Sequence, residues 1–114
     1  MKTDVAPLLE KLGVNFKNKD ILKQALTHRS YVNENKGLGS LDHNERLEFL
    51  GDAVLELVVT DFLFRSYPET TEGELTLYRS ALVNTQALAE VANEIGLNEY
   101  LLLSKGESRD AGRA

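Results

Sequence analysis

Cysteine and tryptophan are absent from this sequence, only two prolines occur, and aromatic residues make up 7% of it. Without cysteine the chain can form neither disulfides nor thiolate metal sites, which fits a reducing compartment such as the cytoplasm. No apolar run approaches the roughly 20 residues that a membrane-spanning helix requires, and charged residues interrupt the N-terminal segment. We therefore expect a cytoplasmic protein without membrane segments.

Basic residues are fewer than acidic ones: the sequence has 13 lysines and arginines and 18 aspartates and glutamates, for a formal net charge of -5. Phosphate binding normally depends on a surplus of basic residues, so the overall charge argues against nucleic-acid binding by the surface as a whole. Such a function would need a local site. Divalent cations held by carboxylates are one way in which an acidic surface can contact phosphate.

The length of 114 residues, with 42% hydrophobic content, predicts a single domain over residues 1–114. Apolar residues recur at helical spacing along most of the chain, and no stretch alternates with a period of two, so the predicted fold is all-α. The predicted helices cover residues 5–12 up to Gly13, a segment from Asn18 through Tyr31, residues 44–66, a segment opened by the Thr71 and Glu74 capping box, and a segment from Asn84 or Thr85 to Gly96. Residues 33–44 should form a connector, and residues 105–114 an exposed loop.

The predicted helix over residues 44–66 carries an unusual row of acidic side chains. At about 100° per residue, four carboxylates share one face, and an apolar stripe on the opposite side should face the core. The carboxylates are Glu45, Glu48, Asp52 and Glu56, and the stripe consists of Leu47, Leu50, Val54 and Leu57. Neighbouring like charges cost about 0.2–0.5 kcal/mol per pair, which a bound cation would offset.

A solvated acidic face is the alternative to a metal site, since acids near a helix N-terminus are favoured by the backbone dipole. That explanation suits Glu45 well, but it hardly suits Asp52, which lies two turns into the helix. Within the same segment, Gly51 lowers helix stability and suggests a close packing contact. Phe49 should project from the surface, either as one of the isolated surface aromatics that proteins normally carry or toward a partner.

The segment NERLEFLGDAVL, residues 44–55, resembles the signature of the ribonuclease III family. ALTHRSY (residues 25–31) precedes it and YPETTEGELTLYRSALVNTQALA (residues 67–89) follows it, in the order and approximate spacing of the family. The resemblance covers nearly the whole chain. It implies the all-α catalytic domain of a metal-dependent endoribonuclease.

The resemblance also implies roles for individual residues. Glu48 and Asp52 match the carboxylates that bind catalytic Mg²⁺, for which Mn²⁺ can substitute, and Glu45 matches an acid that assists catalysis. Glu72 matches a further acidic position that supports the substrate or the metal, although helix capping near Thr71 also explains an acid there. Phe49 matches the aromatic that inserts into the partner subunit of a homodimer.

The activity that the resemblance implies is hydrolysis of double-stranded RNA, as in the processing of ribosomal RNA precursors, leaving 5′-phosphate and 3′-hydroxyl ends. Two paired subunits would each cut one strand of an A-form duplex recognised by its shape. Divalent cations on carboxylates would reconcile this substrate with the acidic composition.

The sequence departs from the family pattern at its end, because the family's last acidic helix, which completes the metal site, and the double-stranded RNA-binding domain are not found in it. We therefore expect a partial catalytic domain. The alternative function is a non-catalytic dimerising or RNA-binding fragment that lacks the complete metal site. A helical bundle that binds another divalent ion is a third possibility. Neither His28 nor His43 is expected to bind metal.

Overall fold

A computed structural model describes residues 3–37 and 42–111, and the side chains of residues 3–37 and 42–108. The described residues form seven α-helices and a short 3₁₀ helix, with no sheet among them, which confirms the all-α prediction. In chain order the α-helices are α1 (Ala6–Leu12), α2 (Lys19–Ala25), α3 (Arg29–Glu34), α4 (Glu45–Ser66), α5 (Glu72–Leu82), α6 (Thr85–Glu94) and α7 (Lys105–Ala111), and the 3₁₀ helix spans Leu97–Tyr100.

Several helix boundaries follow from local sequence signals. Gly13 ends α1 in the left-handed conformation at φ 68°, which costs glycine little because it has no Cβ. Side-chain oxygens of Asn18, Thr71 and Asn84 accept hydrogen bonds from backbone N–H groups in the first turns of α2, α5 and α6, at 3.0, 3.3 and 2.8 Å. These caps confirm the predicted starts of the three helices.

The predicted second helix is wrong in its extent, because it breaks after Ala25 and restarts at Arg29. The backbone at the break bonds to a distant segment instead of continuing the helix: the Leu102 N–H donates to the Leu26 carbonyl (2.7 Å) and the His28 N–H to the Leu102 carbonyl (2.9 Å). The predicted connector over residues 33–44 also begins too early, since α3 extends to Glu34; residues 38–41 lie outside the described part.

The predicted loop at the end of the chain is wrong over residues 105–111, which form α7. Ser104 begins this helix, with its hydroxyl accepting from the Glu107 N–H at 3.2 Å. The Glu34 carboxylate accepts from the Lys105 N–H at 3.0 Å. These two acceptors satisfy N–H groups of the first turn, which explains how a segment with no large apolar residue forms a helix. Residues 112–114 lie outside the described part.

The largest group of buried side chains joins α1, α2 and the 3₁₀ helix. Its buried side chains are Leu8, Leu22, Leu26 and Tyr100. The long helix α4 packs mainly against α5, and α5 packs against α6. The described chain measures 55 × 33 × 24 Å, with a radius of gyration of 16.6 Å, against roughly 13 Å expected for a compact domain of this length. This elongated arrangement leaves much of α4 uncovered.

Candidate functional site

Hydrogen bonds connect the start of α4 to the end of α2 and the residues that follow it. The Asn44 side-chain amide donates to the Ala25 carbonyl at 2.9 Å, and the Asn44 N–H donates to the Thr27 carbonyl at 3.0 Å. The Gln24 side chain donates to the His43 carbonyl at 3.2 Å. These contacts orient the start of α4, and with it the acidic side chains that follow.

All four carboxylates of the predicted row lie on α4 and are exposed. We call Glu45, Glu48, Asp52 and Glu56 the acidic stripe. Because they are spaced three or four residues apart, each stands about one helical turn from the next. The helix thus places them on one face, as the sequence predicted.

The two outer carboxylates of the acidic stripe are paired with arginines from other helices. Arg29 of α3 donates from Nη1 to Glu45 Oε1 at 3.1 Å. Arg79 of α5 donates from Nη1 to the Thr60 hydroxyl at 3.0 Å, and its Nε lies 3.8 Å from Glu56 Oε1. Each end of the stripe therefore has a compensating positive charge.

The two inner carboxylates, Glu48 and Asp52, are not compensated in this way. Among the side chains of residues 3–37 and 42–108, none forms an ion pair or hydrogen bond with either of them. Two neighbouring carboxylates without a cation repel each other along the helix. Their hard oxygen atoms are the ligand type that Mg²⁺ prefers.

The donor chemistry of Glu48 and Asp52 therefore suits a divalent cation, but these two residues supply only part of a coordination shell. Within the part of the chain that the structure describes, no group of three or more His, Cys, Asp or Glu side chains is placed to hold a metal ion. A cation bound here would need water, a substrate oxygen or ligands from outside the described residues.

Glu72 lies apart from the acidic stripe in the sequence, at the first residue of α5. Thr71 caps this helix through the Glu74 N–H, and Glu72 is exposed in the first turn. An acid at this position interacts favourably with the helix dipole. The described structure does not join Glu72 to the other carboxylates in a metal-binding group.

Phe49 is 83% exposed, so it projects from the surface as the helical wheel predicted. The close contact predicted at Gly51 is not found within the described chain, because a Cβ placed there would meet no atom within 4 Å. The described residues therefore give no steric reason for glycine at this position.

The apolar stripe of α4 is on the predicted side of the helix, but the prediction that it faces the core is wrong. Leu50, Val54 and Leu57 are exposed by 59%, 53% and 67%, and Leu47 is half-buried. The residue that α4 buries is Leu63, on the same side of the helix as the acidic stripe. Because the other described helices pack on that side, the larger apolar surface has no cover within the described chain.

Both histidines lie beside helix starts. His28 immediately precedes α3, and its Nδ1 accepts from the Ser30 N–H at 3.1 Å. His43 Nδ1 accepts from the Glu45 N–H at 3.4 Å. The Nδ1 atom of each histidine therefore accepts a hydrogen bond from an N–H group in the first turn of a helix.

Arg29 and Arg79 are the site residues that sequence reasoning missed. Both lie in segments that carried the family resemblance, ALTHRSY and TLYRSALVN, but their partners are 16 and 23 positions away. Helical periodicity relates neighbours three or four residues apart, so it could not identify these pairs.

None of the described helices combines the length and apolarity needed to cross a bilayer.

Comparison with known proteins gives consistent results. The family model described as ribonuclease-III-like matches residues 18–114. The chain is 55% identical over 111 residues to Ribonuclease 3 of Leifsonia xyli, and 51% identical over 112 residues to Ribonuclease 3 of Corynebacterium jeikeium. These alignments cover 97% and 98% of this chain but 45% and 44% of the relatives, so the chain spans less than half their length.

Among solved structures, the nuclease domain of ribonuclease III from Campylobacter jejuni is similar, with a TM-score of 0.82 and 40% sequence identity. The match covers 96% of this chain and 71% of that one. The Campylobacter structure is described as showing flexibility in a region involved in dimer formation.

Proposed function

Because the chain belongs to the ribonuclease III family, we propose that it is the nuclease module of a Mg²⁺-dependent endoribonuclease that cleaves double-stranded RNA. The products would be 5′-phosphate and 3′-hydroxyl ends, and precursors of ribosomal RNA would be among the substrates. The observation that carries the proposal is the pair of uncompensated carboxylates, Glu48 and Asp52, one turn apart within the acidic stripe.

In this proposal Glu48 and Asp52 hold the cation, which is Mg²⁺ or, in its place, Mn²⁺. When bound, the cation supplies a more acidic water and positive charge beside the scissile phosphate. Glu45, held by Arg29, assists at the same face of α4, and Glu72 supports the substrate or the metal ligands. The helix backbone fixes the spacing of the two ligands, so the chain contributes their orientation in advance of binding.

We further propose that two copies of the chain form a homodimer in the cytoplasm, with one metal site for each RNA strand. The exposed Phe49 supports this, because an aromatic that is 83% accessible and lies next to Glu48 is suited to insertion into a partner. A duplex bound across two acidic stripes would be recognised by its A-form shape, and cations held by Glu48 and Asp52 would supply the positive charge that the acidic stripes lack.

The test is cleavage of a labelled RNA duplex with Mg²⁺ by the 114-residue chain and by a version extended by the acidic helix that the family resemblance implies. Glu48→Gln and Asp52→Asn should each lower the cleavage rate of the active form by at least about 100-fold, in the range seen for removal of a key electrostatic group. Asp61→Asn, the same change on the same helix but outside the stripe, should have little effect. Equal cleavage after both stripe substitutions would contradict the proposal.

A second candidate function is a dimerising or RNA-binding module that does not cleave. It is favoured by one observation: the described residues bring no group of three potential ligands together. In that case the 114-residue chain would retain duplex RNA on a native gel without cutting it, while the extended version would cut.

A further inference from the structure

The arginines at the two ends of the acidic stripe come from different helices, α3 and α5, and each contacts α4. Arg29 reaches Glu45 at 3.1 Å, and Arg79 lies 3.8 Å from Glu56 while it bonds Thr60. Four carboxylates and two arginines leave a formal charge of two negatives, located on Glu48 and Asp52. That remainder equals the charge of one divalent cation.

The pairing also decides which carboxylates are available. An oxygen that accepts from a guanidinium is less free to bind a cation, and the positive charge beside it repels one. Without the arginines, a cation could bind at any neighbouring pair of the stripe, since all four carboxylates are about one turn apart. With them, the pair formed by Glu48 and Asp52 is the most negative position.

We infer that Arg29 and Arg79 are positioning residues, which confine the divalent cation to Glu48 and Asp52 by compensating Glu45 and Glu56. The inference rests on the proposed function, and it assigns the two arginines a role in selecting the metal position. Both partners in the Arg29–Glu45 pair are about half exposed, at 55% and 52%. Ion pairs this exposed to solvent contribute little to folding stability. A contribution to stability is therefore a weak explanation for the Arg29–Glu45 contact.

Arg29 is the cleaner probe, because Arg79 also holds Thr60. We propose to measure binding of Mn²⁺ alone to the 114-residue chain by electron paramagnetic resonance of the free ion. Arg29→Ala should tighten Mn²⁺ binding by about two- to fivefold, since it adds an uncompensated carboxylate at high effective dielectric. A purely structural role predicts the opposite, because disordering the start of α4 would weaken binding.

Three further variants control the measurement. Arg29→Lys keeps the positive charge and should retain the wild-type affinity. Arg29→Ala combined with Glu45→Gln removes both charges and should return the affinity to near the wild-type value. Arg65→Ala removes an ion pair within α4, in which Arg65 Nε lies 2.8 Å from Asp61 Oδ1. This pair is outside the acidic stripe, so the substitution should leave the Mn²⁺ affinity unchanged.

The outcomes separate the inference from the proposed function. Unchanged or weaker Mn²⁺ binding in a folded Arg29→Ala chain overturns the inference and leaves the metal site intact. If Arg29→Ala does not fold by circular dichroism, Glu45→Gln alone decides. It should weaken binding by about two- to fivefold, because it leaves the positive charge of Arg29 uncompensated beside the site. An unchanged affinity, or a loss of more than about tenfold that would make Glu45 a ligand itself, overturns the inference. If instead Glu48→Gln and Asp52→Asn leave Mn²⁺ affinity unchanged, the metal site itself is wrong.

Discussion

Thr27 and Leu102 form an isolated parallel bridge that joins two segments far apart in the chain. Thr27 is 1% exposed, and its hydroxyl donates to the Lys23 carbonyl one turn earlier. Its carbonyl accepts from the Asn44 N–H at 3.0 Å, so the same residue also holds the start of α4. The break between α2 and α3 therefore fixes where the acidic stripe begins.

Thr27→Val should lower the free energy of unfolding by about 0.5–1.5 kcal/mol, because it removes a buried hydroxyl donor with little change of shape. Urea denaturation followed by circular dichroism measures the change. Thr76→Val, the same substitution at an exposed position of α5, should alter stability by less than about 0.5 kcal/mol. Equal effects of the two substitutions would show that the Thr27 hydroxyl contributes nothing.

Asp52→Asn should stabilise the metal-free chain, because Asp52 has like-charged neighbours one turn away on each side. Relief of each repulsion is worth about 0.2–0.5 kcal/mol. Asp61→Asn should do the reverse, since Asp61 accepts from Arg65 at 2.8 Å in an i, i+4 pair. Thermal melts without divalent ions should therefore move in opposite directions for the two variants.

Adding Mg²⁺ should reverse the order of stability of the wild-type and Asp52→Asn chains. A cation that binds only the folded chain raises its melting temperature, and Asp52→Asn removes one proposed ligand. The wild-type chain should gain stability with Mg²⁺ while the Asp52→Asn chain gains less. A Mg²⁺ effect of the same size in both would count against Asp52 as a ligand.

Gly51→Ala should stabilise the monomer by up to about 1 kcal/mol, since alanine is the better helix former and its Cβ would meet open space. Gly96→Ala should destabilise it, because Gly96 has φ 69°, where a Cβ is strained. Urea denaturation at low protein concentration compares the two. A destabilising Gly51→Ala in the monomer would mean that the surroundings of this glycine are more crowded than the described residues show.

Phe49→Ala should weaken self-association by about tenfold or more, as loss of a buried aromatic is worth roughly 1.5–3 kcal/mol and 1.4 kcal/mol corresponds to tenfold. Sedimentation equilibrium measures the dimer fraction. Phe16→Ala makes the same chemical change at a residue that is 38% exposed on the connection between α1 and α2, and it should leave association unchanged. An unaltered dimer fraction in the Phe49→Ala chain would exclude this side chain from the interface.

The sequence by itself determined the helical character, most helix starts and the face of α4 that carries the carboxylates. These features depend on periodicity and on caps formed within a few residues, such as Asn18 with Asp20 or Thr71 with Glu74. The exposure of Phe49 followed from the same helical geometry. Local interactions of this kind are encoded in neighbouring residues, so spacing alone was sufficient.

Only the tertiary structure decided how the carboxylates differ from one another and which side of α4 is covered. The Arg29 and Arg79 pairings join helices that are distant in sequence, and the break at Thr27 depends on backbone hydrogen bonds to Leu102. Leu50 and Leu57 were expected in the core because amphipathic helices usually bury their apolar side. Burial depends on which elements pack against that side, and the described helices pack against the other one.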